Sequence, residues 1–431
     1  MKYIVLLLFI WGLFACRENK VDDAVPVIDL NLDEAEDMKT TDYFDTYQVV
    51  ALKNLLCQSI DDVIEYSDRW VAKASNGAYK DFLYAFDKQG DTLTAIGGFG
   101  RGPGEYQTCE ESICLEQDST LGVYDWPLKY LRFNKNDDLL DEQIWDENVD
   151  LKYGSPVCKL NDSTLLYYNP IFYKNLGPDS KKKAKFLDKM KGGHLLNIVP
   201  TSSGREILSY FEGDELIAYQ LTDKIYIFQD TCRFYIEKAG IVYDVFPEGI
   251  KPRYRINKGK YQGLLTKEEF LAQVFTKKIV MHSLNETDKY VWGNYCFNGR
   301  YYIFIFDKAT GHTRNYKSVD DDLLKIGNKK SKFFPSAYFS SWLSKRHFNQ
   351  EGLIFLIHPT KFADMIEFIQ GKMKAEEWEE YVKEYPDLIR IYQELNDHTN
   401  VVVLKYHYKV HSISLQPPSK HSNKVLNFLK D

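Results

Sequence analysis

None of the seven cysteines forms a C-x-x-C pair, so neither a zinc ribbon nor a thioredoxin-like redox site is written in this chain. Catalytic signatures are equally scarce. There is no G-x-S-x-G, no H-E-x-x-H and no Gly-Lys-Ser/Thr after a glycine-rich stretch, which removes the nucleophile elbow, the zincin helix and the P-loop as readings. The N-terminal apolar run, Ile4–Phe14, is about half the length of a membrane-spanning helix. An excess of positive charge is missing too. The chain carries −7, and −8 once Lys2 is removed with the leader. That balance gives no general attraction to nucleic acid or anionic lipid.

What is present begins at the N-terminus. Lys2 supplies a positive start, Ile4–Phe14 an apolar run, and Leu13-Phe14-Ala15-Cys16 a lipobox. This pattern predicts a bacterial lipoprotein leader, with cleavage after Ala15 and lipidation of Cys16. Each buried methylene of an acyl chain contributes roughly 0.8 kcal/mol, and more than one chain gives stable anchoring. The plainer reading is an ordinary secretory leader with a chance cysteine. Residues 17–24 are polar and acidic, as a tether between lipid and domain should be.

The rest of the chain has strand chemistry. Aromatic residues make up 15%, mostly Tyr and Phe, which suit half-buried pleated surfaces. One hairpin pattern recurs at Leu83–Leu93, Tyr130–Leu140 and Tyr302–Gly311: alternating apolar residues, then Asp or Asn and Gly for the turn. Phe86 and Phe133 are 47 residues apart, close to the roughly 40–50 residues of a four-stranded propeller blade. Further strands are predicted at Val25–Leu32, Tyr47–Leu52, Thr164–Tyr168, Ile207–Tyr210, Leu216–Gln220, Lys224–Phe228, Arg233–Glu237, Ile241–Val245, Lys289–Asn294, Gly352–Ile357 and Val401–Tyr408. A short helix is expected at the capping box Thr266–Glu269, and Lys361–Leu395 has helical spacing. The lysine-rich run from Lys181 to Lys191 reads as a solvated loop. After these insertions the length allows about six blades. The expected architecture is all-β: a six-bladed β-propeller with short helical insertions over residues 25–411, followed by a tail, 412–431. Pairing Tyr47–Leu52 with Val401–Tyr408 in one sheet would close the ring and remove two free edges.

The strongest local pattern, Ile96-Gly-Gly-Phe-Gly-Arg-Gly-Pro-Gly-Glu-Tyr106, resembles the "G-x-G-x-GPGE-[FY]" signature of six-bladed β-propeller lipoproteins of Bacteroidales-type bacteria. Lys251–Tyr261 is similar to that family's "P-x-Y-x-I-x-x-G-K-Y" segment, and Asp397–Lys405 to its closing "D-x-NP-V-L-V-L" strand. Val401 stands where the last pattern has proline. The resemblance covers most of the mature chain and implies an NHL/TolB-like architecture and an envelope location, the outer membrane first, facing periplasm or surface. It implies no reaction.

Candidate sites follow. The glycine-rich stretch could form an anion nest, but Pro103 removes one amide donor, and a tight turn between blades with several glycines at positive φ is the plainer use. Arg101 and Glu105 are its candidate ligand-binding side chains. Asp125 and Trp126, at a strand end, could bind a sugar or a cation; a strand-end turn is the commoner role for such an aspartate. His407, Lys409 and His411 alternate on one strand face, and about 13 Å between the two histidines excludes chelation. No catalytic or metal-ligating set and no cofactor is indicated. Besides Cys16, six cysteines remain and read as buried thiols, with Cys109/Cys114 the sequence-near pair. The sequence therefore predicts a lipid-anchored binding or interaction module for a small molecule, a glycan or a protein partner, with no role for nucleic acid. The alternative is a lyase-, lactonase- or glycosidase-like propeller enzyme with its site at the central channel.

Overall fold

The computed structural model describes residues 25–76, 81–107, 113–115, 120–125, 129–144, 155–161, 163–168, 194–200, 208–212, 225–229, 231–263, 277–326 and 351–409. Cys16, Cys109, Trp126, His411, the lysine-rich run, Leu216–Gln220, the capping box and the tail lie outside them.

The chain opens with β1 (Val27–Asp29), β2 (Glu36–Lys39) and β3 (Phe44–Lys53). Blade I follows as β4 (Ser59–Glu65), β5 (Arg69–Ser75), β6 (Asp81–Asp87) and β7 (Thr92–Ile96). A two-residue parallel ribbon, β8 (Gly98–Phe99) with β9 (Glu105–Tyr106), leads on to the next blade. Blade II is β10 (Ile113–Leu115), β11 (Leu121–Asp125), β12 (Lys129–Phe133) and β13 (Leu139–Ile144). Blade III is β14 (Ser155–Asn161), β15 (Thr164–Tyr168), β16 (His194–Pro200) and β17 (Leu208–Glu212). Blade IV is β18 (Ile225–Phe228), β19 (Thr231–Ile236), β20 (Ile241–Phe246) and β21 (Gly249–Asn257). Blade V is β22 (Val280–Glu286), β23 (Tyr290–Phe297), β24 (Arg300–Asp307) and β25 (His312–Asp320). Blade VI contains β26 (Gly352–Ile357), three helices and β27 (Thr399–Tyr408). Six small antiparallel meanders thus form a six-bladed ring.

The repeated hairpin has one physical cause. Phe86, Phe133 and Phe306 end the third strand of their blades and are almost fully buried. The next residue, Asp87, Asn134 or Asp307, then folds back to accept two backbone amides of the turn at 2.7–3.0 Å. This Asx-type closure explains why a short polar side chain follows the buried phenylalanine. At Gly90, φ is +91° and an added Cβ would lie 2.0 Å from the Ala51 carbonyl oxygen, so only glycine fits there.

The ring is closed by both chain ends. β3 pairs antiparallel with β27 along its whole length, with Tyr47 opposite Tyr406 and Leu52 opposite Val401. The expected closure is therefore present. Two further sutures were not legible in the sequence. β1 adds in parallel to the edge of blade IV, Val27 opposite Arg255, and β2 does the same at blade V, Glu36 opposite Tyr316. One N-terminal segment thus covers the outer edges of three successive blades, where unpaired strands would invite association. The predicted strand Val25–Leu32 is shorter than expected. Beyond Asp29 the chain turns into a 3-10 segment, Leu32–Glu34, whose Asp33 amide donates to Asn31 Oδ1 at 3.1 Å.

The helical stretch is broken into α1 (Pro359–Gln370), α2 (Ala375–Glu384) and α3 (Pro386–Glu394). Proline opens α1 and α3, where its missing amide costs nothing. Gly371 ends α1, donating to the Glu367 carbonyl at 2.8 Å. Their apolar faces, including Phe362, Ile366, Tyr381 and Leu388, join a core with Ile305 and Tyr316 of blade V and Leu353 and Leu404 of blade VI. The helices are a wedge that fills one seam of the ring. No helix among the described residues is long and apolar enough to cross a membrane.

Candidate functional site

The glycine-rich segment between blades I and II is a lock. Lys129, on β12 and only 7% exposed, reaches up to donate to the carbonyls of Arg101 (3.0 Å), Gly102 (2.8 Å) and Glu105 (3.3 Å). Glu142 on β13 pairs with Lys129 at 3.0 Å and accepts the Gly104 amide at 2.9 Å. Burial pushes the Glu142 carboxyl up, but the Gly104 amide and Lys129 outweigh it and hold the group below the usual carboxylate range. Tyr106, buried, accepts from the Leu83 amide and donates to the Ile96 carbonyl, each at 2.9 Å.

Three of the four sequence-nominated ligand residues meet here. The Glu105 carboxylate accepts the Gly102 amide at 2.7 Å, while the Glu105 amide donates to the Gly102 carbonyl at 3.1 Å. Asp125, at the end of β11, accepts the Gln107 amide at 2.9 Å. Arg101 is exposed. Trp126 is outside the described residues. Both carboxylates are thus engaged with backbone amides, the geometry of a tight turn. Positive φ is confined to Gly97 (+65°) and Gly104 (+72°). Gly100 is needed for a different reason: a Cβ there would lie 2.1 Å from Glu105 Oε2.

Other seams carry buried cations in the same way. Between blades IV and V, Glu286 is wholly buried. It accepts from Arg233 and Tyr226 through one oxygen, and from Tyr254 (2.8 Å) and Lys308 (2.6 Å) through the other. Arg233 also holds Asp244 at 2.7 Å. Lys258 pairs with Glu237 and donates to the Ile279 carbonyl at 2.9 Å. Between blades VI and I, Lys405, 1% exposed, joins Glu65 at 2.5 Å and Glu351 at 2.7 Å. Apart from Arg233–Asp244, which face each other on neighbouring strands of one hairpin, these pairs join segments far apart in sequence, so no local pattern announced them.

One open cleft lies beside the last of these networks. It has a volume of about 630 Å³ and is built where the β22–β23 turn of blade V meets the β3 and β27 ends of blade VI. Its floor is aromatic: Tyr43, Tyr290 and Tyr408, backed by Trp292. Tyr43 meets Tyr290 edge-on at 5.6 Å, and Tyr408 stacks on Phe44 at 5.3 Å. The Tyr43 hydroxyl is shared with Tyr316 at 2.5 Å. The Tyr408 hydroxyl is enclosed, with no hydrogen-bond partner among the described residues. Exposed Asp42, Asp45, Asp288 and Glu351 form the rim, with Lys289, Lys409 and His407. Burial and the nearby Lys405 push the His407 imidazole below its ordinary value, against the pull of Glu65, Glu351 and Asp45.

Sequence reasoning had placed His407 and Lys409 on one strand face, and both line this cleft. It missed Tyr43, Tyr290 and Asp288 because their approach depends on how the ring closes. The available signal was the pairing of the two chain ends, which brings residues 42–46 beside 407–409. Among the described residues, no group of three or more His, Cys, Asp or Glu is arranged to hold a metal ion. Among the described residues, Cys158 and Cys232 are buried and Cys57 and Cys296 half-buried, none of them in a disulfide.

The fold and its seams define a six-bladed β-propeller closed by both chain ends. The chain belongs to the family described as a domain of unknown function, DUF4934, whose family model matches residues 25–407. Its structure is similar to that of a Bacteroides fragilis protein provisionally described as exported, with a TM-score of 0.58 at 17% identity. That match covers 89% of this chain and 99% of the other. Weaker likenesses include an oligogalacturonate lyase from Vibrio parahaemolyticus (TM-score 0.36, 13% identity, 62% of this chain and 66% of that one) and BamB from Moraxella catarrhalis (0.29, 8%, 59% and 61%). No curated protein matches the sequence.

Proposed function

We propose that this protein is a lipid-anchored propeller of the cell envelope, held outside the cytoplasm at Cys16, that binds its ligand in the cleft between blades V and VI. The anchoring part rests on the leader and lipobox of residues 1–16 and on the polar tether behind them. An outer-membrane position follows from the resemblance to the Bacteroidales-type lipoproteins, with their NHL/TolB-like architecture. The observation that carries the binding part is the cleft itself. Its volume of about 630 Å³ lies in the range of small-molecule sites, and it combines an aromatic floor with a few polar rim groups. A glycan, a small molecule or a segment of a protein partner has the right size for it.

Metabolic labelling with radioactive palmitate tests the anchor: label in the wild type and none in Cys16→Ser is expected. A thermal-shift screen with glycans, peptides and small cations tests the site. A ligand shift retained in Arg101→Ala and lost in Tyr290→Ala supports the cleft, whereas the reverse pattern moves the site to the glycine-rich lock.

A further inference from the structure

We infer that the outer edge of blade IV is the surface this protein lays against an anionic lipid bilayer, through Lys251, Arg253 and Arg255 of β21. This rests on the proposal that Cys16 is lipidated, and it names how the anchored ring stands on its membrane. The chain as a whole carries −7, so any attraction to lipid has to be local. β21 carries three cations and no carboxylate, with Glu248 in the turn before it. Lys251 and Arg253 are exposed and Arg255 is half-buried. A bulge in the pairing of β20 with β21 makes Arg253 an extra residue, and its guanidinium lies over the Tyr254 ring at 5.2 Å. None of the three forms an ion pair among the described residues. Acids of the same region are engaged elsewhere. Asp29 accepts from Asn257 at 2.6 Å, Asp33 from Lys260 at 2.9 Å and Asp244 from Arg233 at 2.7 Å.

The lipid tether arrives at this same edge. The Arg255 amide donates to the Pro26 carbonyl at 3.0 Å, and Val27, 38% exposed, lies opposite Arg255. Residues 17–24 separate Cys16 from this point, a reach of about 30 Å at full extension. A lipid at Cys16 therefore keeps the edge of blade IV close to the bilayer. An anionic surface then adds roughly fivefold in occupancy for each Lys or Arg brought within a Debye length of it, about 10 Å. Lysine, proline and a bulge also blunt an open strand edge against pairing with another chain. Yet the outer strands of blades I, II and III, namely β7, β13 and β17, carry no basic residue. Edge protection alone leaves the concentration of cations at the tether's own blade unexplained. Standing on this edge also leaves the cleft between blades V and VI free for its ligand.

Lysine acetylation with an N-hydroxysuccinimide ester, read by peptide mass spectrometry, decides this on the full-length lipidated protein. The protein is mixed with vesicles of phosphatidylcholine alone, or of phosphatidylcholine with phosphatidylglycerol. Lys251 should react about fivefold or more slowly on the mixed vesicles, with exposed Lys361 of α1 unchanged and the difference lost in high salt. Arg253→Gln/Arg255→Gln should abolish that difference at an unchanged melting temperature. Vesicle flotation separates this inference from the anchor. Flotation on both vesicles with equal Lys251 reactivity overturns the docking edge and keeps the anchor. Flotation on the mixed vesicles alone, lost in salt and in the double substitution, removes the anchor and supports the edge. Flotation on neither overturns both. Protection of Lys251 that survives the double substitution, or that inorganic phosphate alone produces, overturns the lipid surface as its occupant.

Discussion

Lys129 and Glu142 face each other at 3.0 Å on adjoining strands of blade II, and between them they hold four backbone groups of the loop arriving from blade I. The family-like glycine-rich stretch is thus gripped from below by a buried lysine that lies outside it. Its glycines let the backbone come close enough to be gripped.

This lock gives the first prediction. Lys129→Met should destabilise by about 3 kcal/mol or more, because three carbonyls and a carboxylate lose their donor. Gly100→Ala should cost roughly 1–3 kcal/mol by displacing Glu105 from the Gly102 amide. Arg101→Ala, an exposed change, should stay within about 0.5 kcal/mol. Glu142 sits below its ordinary value when folded, so its contribution is present above pH 4.5 and fades as pH falls through the folded value. Urea denaturation measures all of these. An Arg101→Ala loss equal to that of Lys129→Met would sink the lock as described.

Ring closure gives the second. β27 is the partner of both β26 and β3, and Lys405 on it carries the charge contact to blade I. Deleting residues 401–431 should therefore abolish a single cooperative unfolding transition. Deleting residues 25–29 removes β1 alone and should lower the melting temperature while leaving the transition cooperative. A closed ring protects its shared sheet, so hydrogen exchange across β3 and β27 should be among the slowest in the protein.

Much of the fold was legible because its repeating unit is local. The buried phenylalanine and the following Asp or Asn sit next to each other in sequence at 86–87, 133–134 and 306–307. The turn they form needs nothing from elsewhere. The closing strands were legible because long apolar alternation at both chain ends has few other places to go. β2 was not, nor was the pairing of β1, since short strands that add to blades more than 220 residues away leave no local sign of their partner. The cleft was hidden for the same reason. Tyr43, Tyr290 and Tyr408 are ordinary strand-end tyrosines until the ring closes. The basic residues at the seams were assigned no role from sequence; Lys129, Arg233 and Lys405 are buried and ion-paired.

The seam between blades IV and V supplies the third prediction. Glu286 satisfies two cations and two tyrosine hydroxyls, so Glu286→Ala leaves Arg233 and Lys308 without their shared counter-charge in an interior that cannot hydrate them. Breaking one partner of such a buried network costs about 3–5 kcal/mol. Glu286→Gln preserves shape and one acceptor and should cost less. The difference should appear as a lower urea midpoint with an unchanged slope. Equal losses for Ala and Gln would show that charge, rather than filled space and an acceptor, holds this seam.

A fourth prediction concerns Asp321, which is fully buried between β25 and the closing blade. It accepts from Thr40 Oγ1 and the Leu324 amide, both at 3.0 Å, and from the Tyr406 hydroxyl at 2.5 Å. Burial raises its carboxyl from the ordinary 3.8 to about 6, against the lowering pull of those three donors. A raised value means that the folded protein holds the proton more tightly than the unfolded chain. The sign is therefore fixed: this group's contribution is most favourable below the unfolded value and is lost as pH rises from about 4 through 6. Asp321→Asn keeps the shape and removes the ionisation, so the stability difference between variant and wild type should shift in favour of the variant across that window. The shift can reach about 3 kcal/mol, the free energy of a displacement of this size. Asp321→Ala instead orphans the Leu324 amide and the Tyr406 hydroxyl, while Thr40 keeps Asp322 as acceptor at 3.1 Å; it should be destabilising at every pH, at roughly 1–3 kcal/mol for each group left unpaired. Chemical denaturation of the three proteins across this range gives the answer directly. An Asn variant whose difference from wild type is flat with pH would mean that Asp321 is not the proton-binding group of this seam.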